Sequence, residues 1–331
     1  MSDRATIPFQ QVVDALLNVT EAYPATKLYR LSNLNDDESR KLVEIWEQIS
    51  VDRRRTLLSD LEEFAERDPL LFFETVGRIG LNDSDAQVRL HAIGLTGMEE
   101  DPKLIARFST LLKNDPDADV RAAAASALGT FVYLGEIDEL APETFKKIED
   151  LLLQTLRGQE PELVRRRALE AVSYSSRPEI SDLIATAFSR DDENWQASAV
   201  FAMGRSANGR WSSDVSLMID SENHRLRREA ILAAGELDIQ ELRPVLFEIV
   251  EGEDEELREA AIWALSQIGG EGVGELLEEL QASTEDEEEL EFLEAALDNL
   301  YETETLDAFD LFGFEDDGDP ADEVNGPSGE E

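Results

Sequence analysis

One pattern of apolar positions recurs along the chain at intervals of 31 or 32 residues, with one longer interval of 44. In each of six copies an apolar residue, called position i, is followed by Ala at i+4 and by another apolar residue at i+5. Position i is occupied by Val88, Val120, Val164, Trp195, Leu226 and Leu257. Positions i, i+4 and i+5 lie on one side of a helix with about 3.6 residues per turn. The pattern therefore predicts six amphipathic helices, each of which buries one stripe.

Two features predict where these helices end and where the repeat is interrupted. Gly or Ser stands at i+9 in every copy and is predicted to end or bend the helix. The 44-residue interval holds about 13 extra residues, 131–143, which are predicted to form a longer loop or an extra turn. A seventh, degenerate copy at Leu290 has Glu291 and Glu294 where the other copies have mostly Arg and always Ala. These acidic residues suit a terminal cap with a polar outer face.

Second amphipathic segments lie between the six helices, so each copy is a helical hairpin of about 31 residues. A single hairpin cannot bury its own apolar face, whereas stacked hairpins can. The predicted organisation is an N-terminal helix and linker at 1–35, a solenoid at 36–301 and an acidic disordered tail at 302–331. Within the solenoid, the clearest repeats span 84–269 and the terminal cap spans 271–301.

Three strings show the repeat most clearly: DADVRAAAASALG (117–129), PELVRRRALEAVS (161–173) and NHRLRREAILAAG (223–235). They resemble the HEAT-repeat family, and more closely its bacterial subgroup of short repeats related to phycobilin lyases. The resemblance implies an all-α fold, a right-handed α-solenoid of about seven HEAT-like helical hairpins. It also implies a non-catalytic protein-binding scaffold or adaptor that uses the concave face of the solenoid.

A second function is compatible with the same resemblance. Phycobilin lyases place a tetrapyrrole on a carrier protein, and no compact motif defines that activity, so a lyase-like protein or another maturation and assembly factor stays an alternative. Visible binding of a tetrapyrrole would separate the two functions, because a scaffold would not bind one.

The composition argues against most catalytic chemistry. There is no cysteine, which excludes disulfides, thiolate metal sites and cysteine nucleophiles. Neither His91 nor His224 is followed by Glu, so the His-Glu pairs of the HEAT-repeat deoxyhypusine hydroxylases are missing. The chain also lacks a glycine-rich phosphate loop and a serine nucleophile elbow. We therefore predict no catalytic residues, no metal site and no cofactor.

Charge and hydropathy limit the partners. The chain carries 75 acidic and 30 basic residues, a net charge of -45, and no Lys or Arg follows Glu259. Such a charge repels the phosphates of nucleic acids and anionic lipids. No apolar run approaches the 18 or so residues of a membrane span, and the first residues do not resemble a signal peptide. We predict a cytoplasmic protein that binds other proteins, without nucleic acid or membrane insertion, as a monomer or weak oligomer.

A candidate binding surface follows from position i+6, which lies away from the buried stripe. Phe201, Leu232 and Trp263 occupy it at 31-residue steps and are predicted to form a ladder across three hairpins. Basic residues at i+2 and i+3 lie beside this ladder, namely Arg166, Arg167 and Arg228. Exposed aromatic patches mark binding sites, but the same residues would also suit packing between repeats. Both interpretations stay open from the sequence.

The tail contains a second candidate, an apolar motif within acidic surroundings. Its residues are Leu306, Phe309, Leu311, Phe312 and Phe314. Three roles are open for it. It could dock on the last repeat, bind another protein as a linear motif, or fold back onto the ladder.

Overall fold

The computed structural model describes residues 7–68 and 70–311, which form helices joined by short loops. No strand occurs within those residues, so the all-α prediction is confirmed. The α-helices are α1 (Phe9–Leu17), α2 (Asp36–Ile45), α3 (Val51–Arg67), α4 (Glu74–Gly80), α5 (Ala86–Thr96), α6 (Lys103–Asn114), α7 (Ala118–Glu136), α8 (Pro142–Arg157), α9 (Glu162–Val172), α10 (Glu179–Phe188), α11 (Glu193–Arg205), α12 (Ser212–Met218), α13 (His224–Glu236), α14 (Arg243–Val250), α15 (Glu255–Ile268), α16 (Val273–Ser283) and α17 (Glu287–Leu311). Short 3₁₀ helices lie at Ala25–Leu31, Trp46–Gln48, Gly209–Trp211 and Gln240–Leu242.

The chain folds as two compact units, Met1–Ala233 and Ala234–Glu331, with the boundary inside α13. In the first unit, α3, α5, α7, α9 and α11 pack in series, each on the next. The helices between them, α4, α6, α8 and α10, each pack on the helix that follows. This is the arrangement of stacked hairpins in a solenoid.

The second unit repeats the arrangement with fewer helices. Helix α14 packs on α15, and α16 packs on both α15 and α17. The second helices of two hairpins, α15 and α17, pack directly on each other. None of the helices in the described part of the chain is both long and apolar enough to cross a bilayer.

The repeated apolar positions form the core, as predicted. The 18 side chains at positions i, i+4 and i+5 of the six copies are each at most 4% exposed. Small Ala at i+4 lets neighbouring helices approach closely, and Ala92, Ala124, Ala168, Ala199, Ala230 and Ala261 are all fully buried. The apolar stripe therefore stabilises the stacking of successive hairpins.

A side-chain cap fixes where most of the repeated helices begin. The residue at i−3 accepts a hydrogen bond from the backbone N–H of position i in five copies, at 3.0–3.2 Å. The capping residues are Asp85, Asp117, Asp192, Asn223 and Asp254. Short polar side chains at this position satisfy backbone donors that have no partner within the helix.

The same cap corrects the predicted register of the seventh copy. Asp286 caps α17 by accepting from the backbone N–H of Glu289, at 3.1 Å, which places position i at Glu289 and not at Leu290. Leu293 then stands at i+4 and is fully buried, whereas Glu294 is exposed. The sequence prediction was wrong by one residue because it took the first apolar residue of the copy as position i, and here that position is acidic.

Of the extra residues in the second copy, 131–136 lengthen its helix by extra turns, and 137–141 connect it to the next helix. Helix α7 continues through Gly129 to Glu136 and buries Phe131 and Val132. Gly129, at i+9, therefore does not end α7. A Cβ at Gly129 would lie 3.3 Å from the Cα of Ala171, so this glycine permits the close packing of α7 on α9.

The last described helix passes the predicted start of the tail. Helix α17 ends at Leu311, so it includes residues 302–311 of the predicted tail. Thr303 and Thr305 donate hydrogen bonds to the carbonyls of Asn299 and Tyr301, as side chains within a helix do. Phe312, Phe314 and the rest of the tail lie outside the described residues.

Candidate functional site

The Arg at i+1 has a structural role in every copy that carries it. Arg89 donates to Asp115 Oδ2 at 2.7 Å and to the carbonyl of Asp83 at 2.9 Å, and its side chain is 8% exposed. Gln196, which replaces Arg in one copy, donates to the carbonyl of Arg190 at 3.0 Å. Acidic side chains pair with Arg89, Arg121 and Arg258. In the remaining copies, Arg165 and Arg227 bond to main-chain carbonyls.

The arginines at neighbouring positions belong to a different surface. Arg166 and Arg167 of α9 and Arg225 and Arg228 of α13 lie with two glutamates in one polar group, which we call the arginine cluster: Arg166, Arg167, Glu170, Arg225, Arg228 and Glu229. Between α9 and α13, helix α11 presents Ala197 and Ser198, which are 1% and 0% exposed. These small residues leave room for the longer side chains from both flanking helices.

The distances from the guanidinium groups of the cluster to their nearest polar partners range from one short contact to several long ones. Arg167 Nη1 donates to Glu170 Oε2 at 2.5 Å. Arg225 Nη2 lies 4.0 Å from Glu170 Oε1, and Arg228 Nη1 lies 3.9 Å from Glu229 Oε1. Arg166 Nη1 is 3.4 Å from the hydroxyl of Ser198. The side chains of Arg167, Arg225 and Arg228 are 36%, 41% and 42% exposed, so these three remain open to solvent.

Burial and mutual repulsion shift the pKa values of this group. Burial raises the pKa of Glu229, although the nearby charges of Arg228 and Arg225 act in the opposite direction. Burial lowers the pKa of Arg166, the charge of Arg225 lowers it further, and Glu170 and Asp192 offset part of this effect. Glu170 is 6% exposed, and its Oε1 has no hydrogen-bond partner among the described residues. The cluster thus carries more positive than negative charge.

Aromatic rings lie nearby on α7, just after the end of α9 and on α11. Arg205 of α11 lies over the ring of Phe201, with its Cζ 5.1 Å from the centroid, and over the ring of Tyr174 at 5.8 Å. Tyr174 in turn meets Tyr133 of α7 edge to face, with centroids 5.8 Å apart. We call these four residues the aromatic row. Arg205 thus links the predicted ladder residue Phe201 to Tyr174 of the preceding hairpin.

The other predicted ladder residues are half-buried at the same repeat position. Leu232 lies on α13 in the first unit. Trp263 lies on α15 in the second unit, where its ring packs on Phe292 with centroids 6.5 Å apart. The continuation of the ladder from Leu232 to Trp263 stays a prediction, as do the roles of the tail residues.

The sequence prediction missed four members of this surface: Arg225, Tyr133, Tyr174 and Arg205. Tyr174 and Arg205 stand at i+10 of their copies and Tyr133 at i+13. At about 100° per residue, i+10 and i+13 lie within about 40° of i+6 around the helix axis. The helical period therefore indicates that positions i+10 and i+13 share a face with i+6. The sequence prediction used only position i+6.

Neither histidine belongs to a candidate metal site in the described part of the chain. His91 Nδ1 lies 2.7 Å from Glu62 Oε2, as a polar contact between neighbouring second helices α3 and α5. Within residues 7–68 and 70–311, no group of three or more His, Cys, Asp or Glu side chains is arranged to hold a metal ion.

Comparison with known families agrees with the fold. Residues 214–298 match the family model for HEAT repeats, and residues 104–134 match the model for a single HEAT repeat. These segments contain most of α12, all of α13 to α16 and about the first half of α17, and most of α6 and α7. The described helices form an all-α solenoid, and these two segments of it match HEAT repeats.

No curated protein shows a significant match to this chain. Among solved structures, YibA from Escherichia coli is 18% identical with a TM-score of 0.42, covering 86% of this chain and 99% of YibA. The complex of CpcE and CpcF of phycocyanin lyase from Nostoc sp. PCC7120 is 17% identical with a TM-score of 0.46, covering 69% and 94%. Importin beta is 14% identical with a TM-score of 0.40, covering 85% and 44%. Similarities this low carry no inference about function.

Proposed function

We propose that the protein is a non-catalytic scaffold or adaptor that binds a partner protein on the outward side of its second helices. The observation that supports this is the contrast between two sets of arginines. Those at i+1 are tied to main-chain carbonyls or to acidic side chains. In the arginine cluster, Arg225 and Arg228 make only long contacts with carboxylates and remain more than 40% exposed.

A partner protein fits this surface better than a nucleic acid does. A phosphate-binding surface needs a broad basic face, whereas the cluster is small and belongs to a chain with a net charge of -45. In solenoids of helical hairpins, the second helices commonly line the concave face, where partners bind. We place the binding site on the second helices of the first unit, with Phe201 and Leu232 as apolar contacts and Arg166, Arg167 and Arg228 as polar ones.

Affinity capture from the native lysate tests this function. The surface variant Phe201→Glu/Leu232→Glu changes two half-buried side chains, and its fold is first checked by circular dichroism. The matched control is Val43→Glu/Leu217→Glu, because these residues are 58% and 71% exposed and lie on α2 and α12, the first helices of their hairpins.

The expected result is that defined proteins bind the wild type and the control but not the surface variant. If a folded surface variant retains every captured protein, the second-helix surface is not the binding site. If the wild type captures nothing beyond what an unrelated acidic protein captures, the scaffold function is wrong.

A further inference from the structure

The arginine cluster and the aromatic row both involve α9 and its neighbour α11, and a short distance separates them. On α9, Arg167 belongs to the cluster, and Tyr174, which follows the end of the helix, belongs to the row. Seven residues separate them, which is about 10 Å at 1.5 Å per helical residue. On α11, Ser198 contacts Arg166, and Phe201 begins the row. Charge and aromatic surface are therefore combined on one side of two neighbouring helices.

We propose that this surface is the docking site for an acidic linear peptide of a partner protein, in which an acidic residue and an aromatic residue stand three positions apart. The proposal rests on the function proposed above and specifies the chemistry of its partner. An extended peptide advances about 3.3 Å per residue, so three residues span the 10 Å between the cluster and the row.

The positive charge of the arginine cluster is complementary to the acidic residues of the peptide. Four guanidinium groups in the cluster face two carboxylates, Glu170 and Glu229, with Asp192 near Arg166. Arg225 and Arg228 lie 3.9–4.0 Å from these carboxylates and are more than 40% exposed, so they can pair with further carboxylates without breaking a short bond. Guanidinium groups bind carboxylates through two parallel hydrogen bonds.

The aromatic row selects the apolar part. Tyr133 is 47% exposed, and Phe201 and Tyr174 are half-buried, so each ring presents surface to solvent. An incoming aromatic ring can pack edge to face on the tyrosines, as they pack on each other.

Fluorescence anisotropy with labelled peptides tests the proposal on the full chain. The probe is the synthetic peptide GDDEFDDEFDDG, in which acidic and aromatic residues stand three apart. One control peptide replaces Asp and Glu by Asn and Gln, and another replaces Phe by Ala. The protein variant is Arg225→Gln/Arg228→Gln, and its matched control is Arg40→Gln/Arg67→Gln, whose side chains are 74% and 62% exposed on other helices.

We expect the probe to bind the wild type and the control variant equally, and the Arg225→Gln/Arg228→Gln variant about tenfold more weakly or worse. Each control peptide should also bind the wild type about tenfold more weakly than the probe. The proposal is wrong if the neutral peptide binds as well as the probe, if both protein variants bind alike, or if no binding occurs up to about 1 mM. If the probe fails in this way while captured proteins are still lost from the Phe201→Glu/Leu232→Glu variant, the scaffold function stands and only the peptide chemistry is rejected.

Discussion

Arginines at different positions of the repeat have different structural roles, and the exposed fractions of their side chains differ accordingly. The arginine at i+1 closes the hairpin, because it bonds to carbonyls of the preceding connection and, in some copies, to an acidic side chain. The sequence could not predict the carbonyl partners, because every residue has a carbonyl and its direction depends on the fold.

Removal of Arg89 should therefore destabilise the first unit strongly. Its guanidinium lies between Asp115 and the carbonyls of Asp83 and Ser84, and the Asp115 side chain is 3% exposed. Breaking a buried pair leaves one charge without compensation, so Arg89→Ala should lower the free energy of unfolding by about 3–5 kcal/mol. Urea unfolding followed by circular dichroism measures this change.

The control is Arg40→Ala, which breaks a pair with Asp37 that is exposed on both sides. Exposed pairs contribute at most about 1 kcal/mol, so this variant should unfold nearly like the wild type. Equal effects of the two substitutions would mean that burial does not distinguish these arginines.

Glu229 should make stability depend on pH. Burial raises its pKa in the folded chain, so the ionised carboxylate is less favourable there than in the unfolded chain. Its contribution to stability is fully present below the pKa that it has in the unfolded chain. This contribution is lost as the pH rises through the higher pKa that it has in the folded chain. Glu229→Gln should therefore be more stable than the wild type at pH 7, by roughly 1–3 °C in Tm, with the difference shrinking toward pH 4.

Thermal melts at pH 4, 5, 6 and 7 measure this difference. Glu44→Gln is the matched control, because that side chain is 67% exposed, and its Tm should follow the wild type at every pH. A Glu229→Gln variant that is less stable at pH 7 would show that pairing with Arg228 and Arg225 outweighs burial.

At the level of helices, the repeat pattern predicted which helices exist better than where they end. The six second helices were identified because their period and their buried stripes coincide. Their ends depend on contacts with other helices, which is why α7 continues past Gly129 and α17 continues to Leu311. At Gly129, glycine then acts on packing between helices and not on helix length.

Gly235 provides a test of this role. In a helix interior, Ala is normally about 1 kcal/mol more favourable than Gly. A Cβ at Gly235, however, would lie 2.8 Å from the Cα of Ala264, which is backbone of the neighbouring helix α15. Gly235→Ala should therefore destabilise the protein by about 1–3 kcal/mol, because one of the helices must move.

Urea unfolding compares this variant with Gly209→Ala, where a Cβ would meet no atom within 4 Å. That control should be neutral or slightly stabilising. If Gly235→Ala were as stable as the control, helix ending and not close packing would explain the glycine.

At the level of the whole molecule, the sequence predicted the class of fold but only part of the candidate surface. Six copies with one period specify stacked hairpins, because a single hairpin leaves its apolar face exposed. The arginine cluster combines residues from α9 and α13, which are separated by a complete hairpin. The sequence could place Arg166, Arg167 and Arg228 at outward positions, but not the distances between their side chains and the two glutamates.

The uneven charge of the chain should make its two units respond differently to salt. Residues 234–331 contain 34 acidic and two basic residues, whereas residues 1–233 contain 41 acidic and 28 basic ones. Repulsion among like charges destabilises a compact state, and salt screens it, since the Debye length falls from about 30 Å at 0.01 M to about 8 Å at 0.15 M. The second unit has few cations to offset its carboxylates and should gain more from this screening.

Hydrogen exchange at 10 and 150 mM NaCl measures the effect within one sample. Amide protection in α14, α15 and α16 should rise with salt more than protection in α5, α7 and α9, which serve as the internal control. Sucrose at matched osmolarity should not reproduce the difference, because it stabilises by exclusion from the surface and not by screening charge. Equal gains in amide protection in both sets of helices, or lower protection in the second unit at higher salt, would contradict this prediction. Either result would show that the carboxylates of the second unit do not limit the stability of that unit.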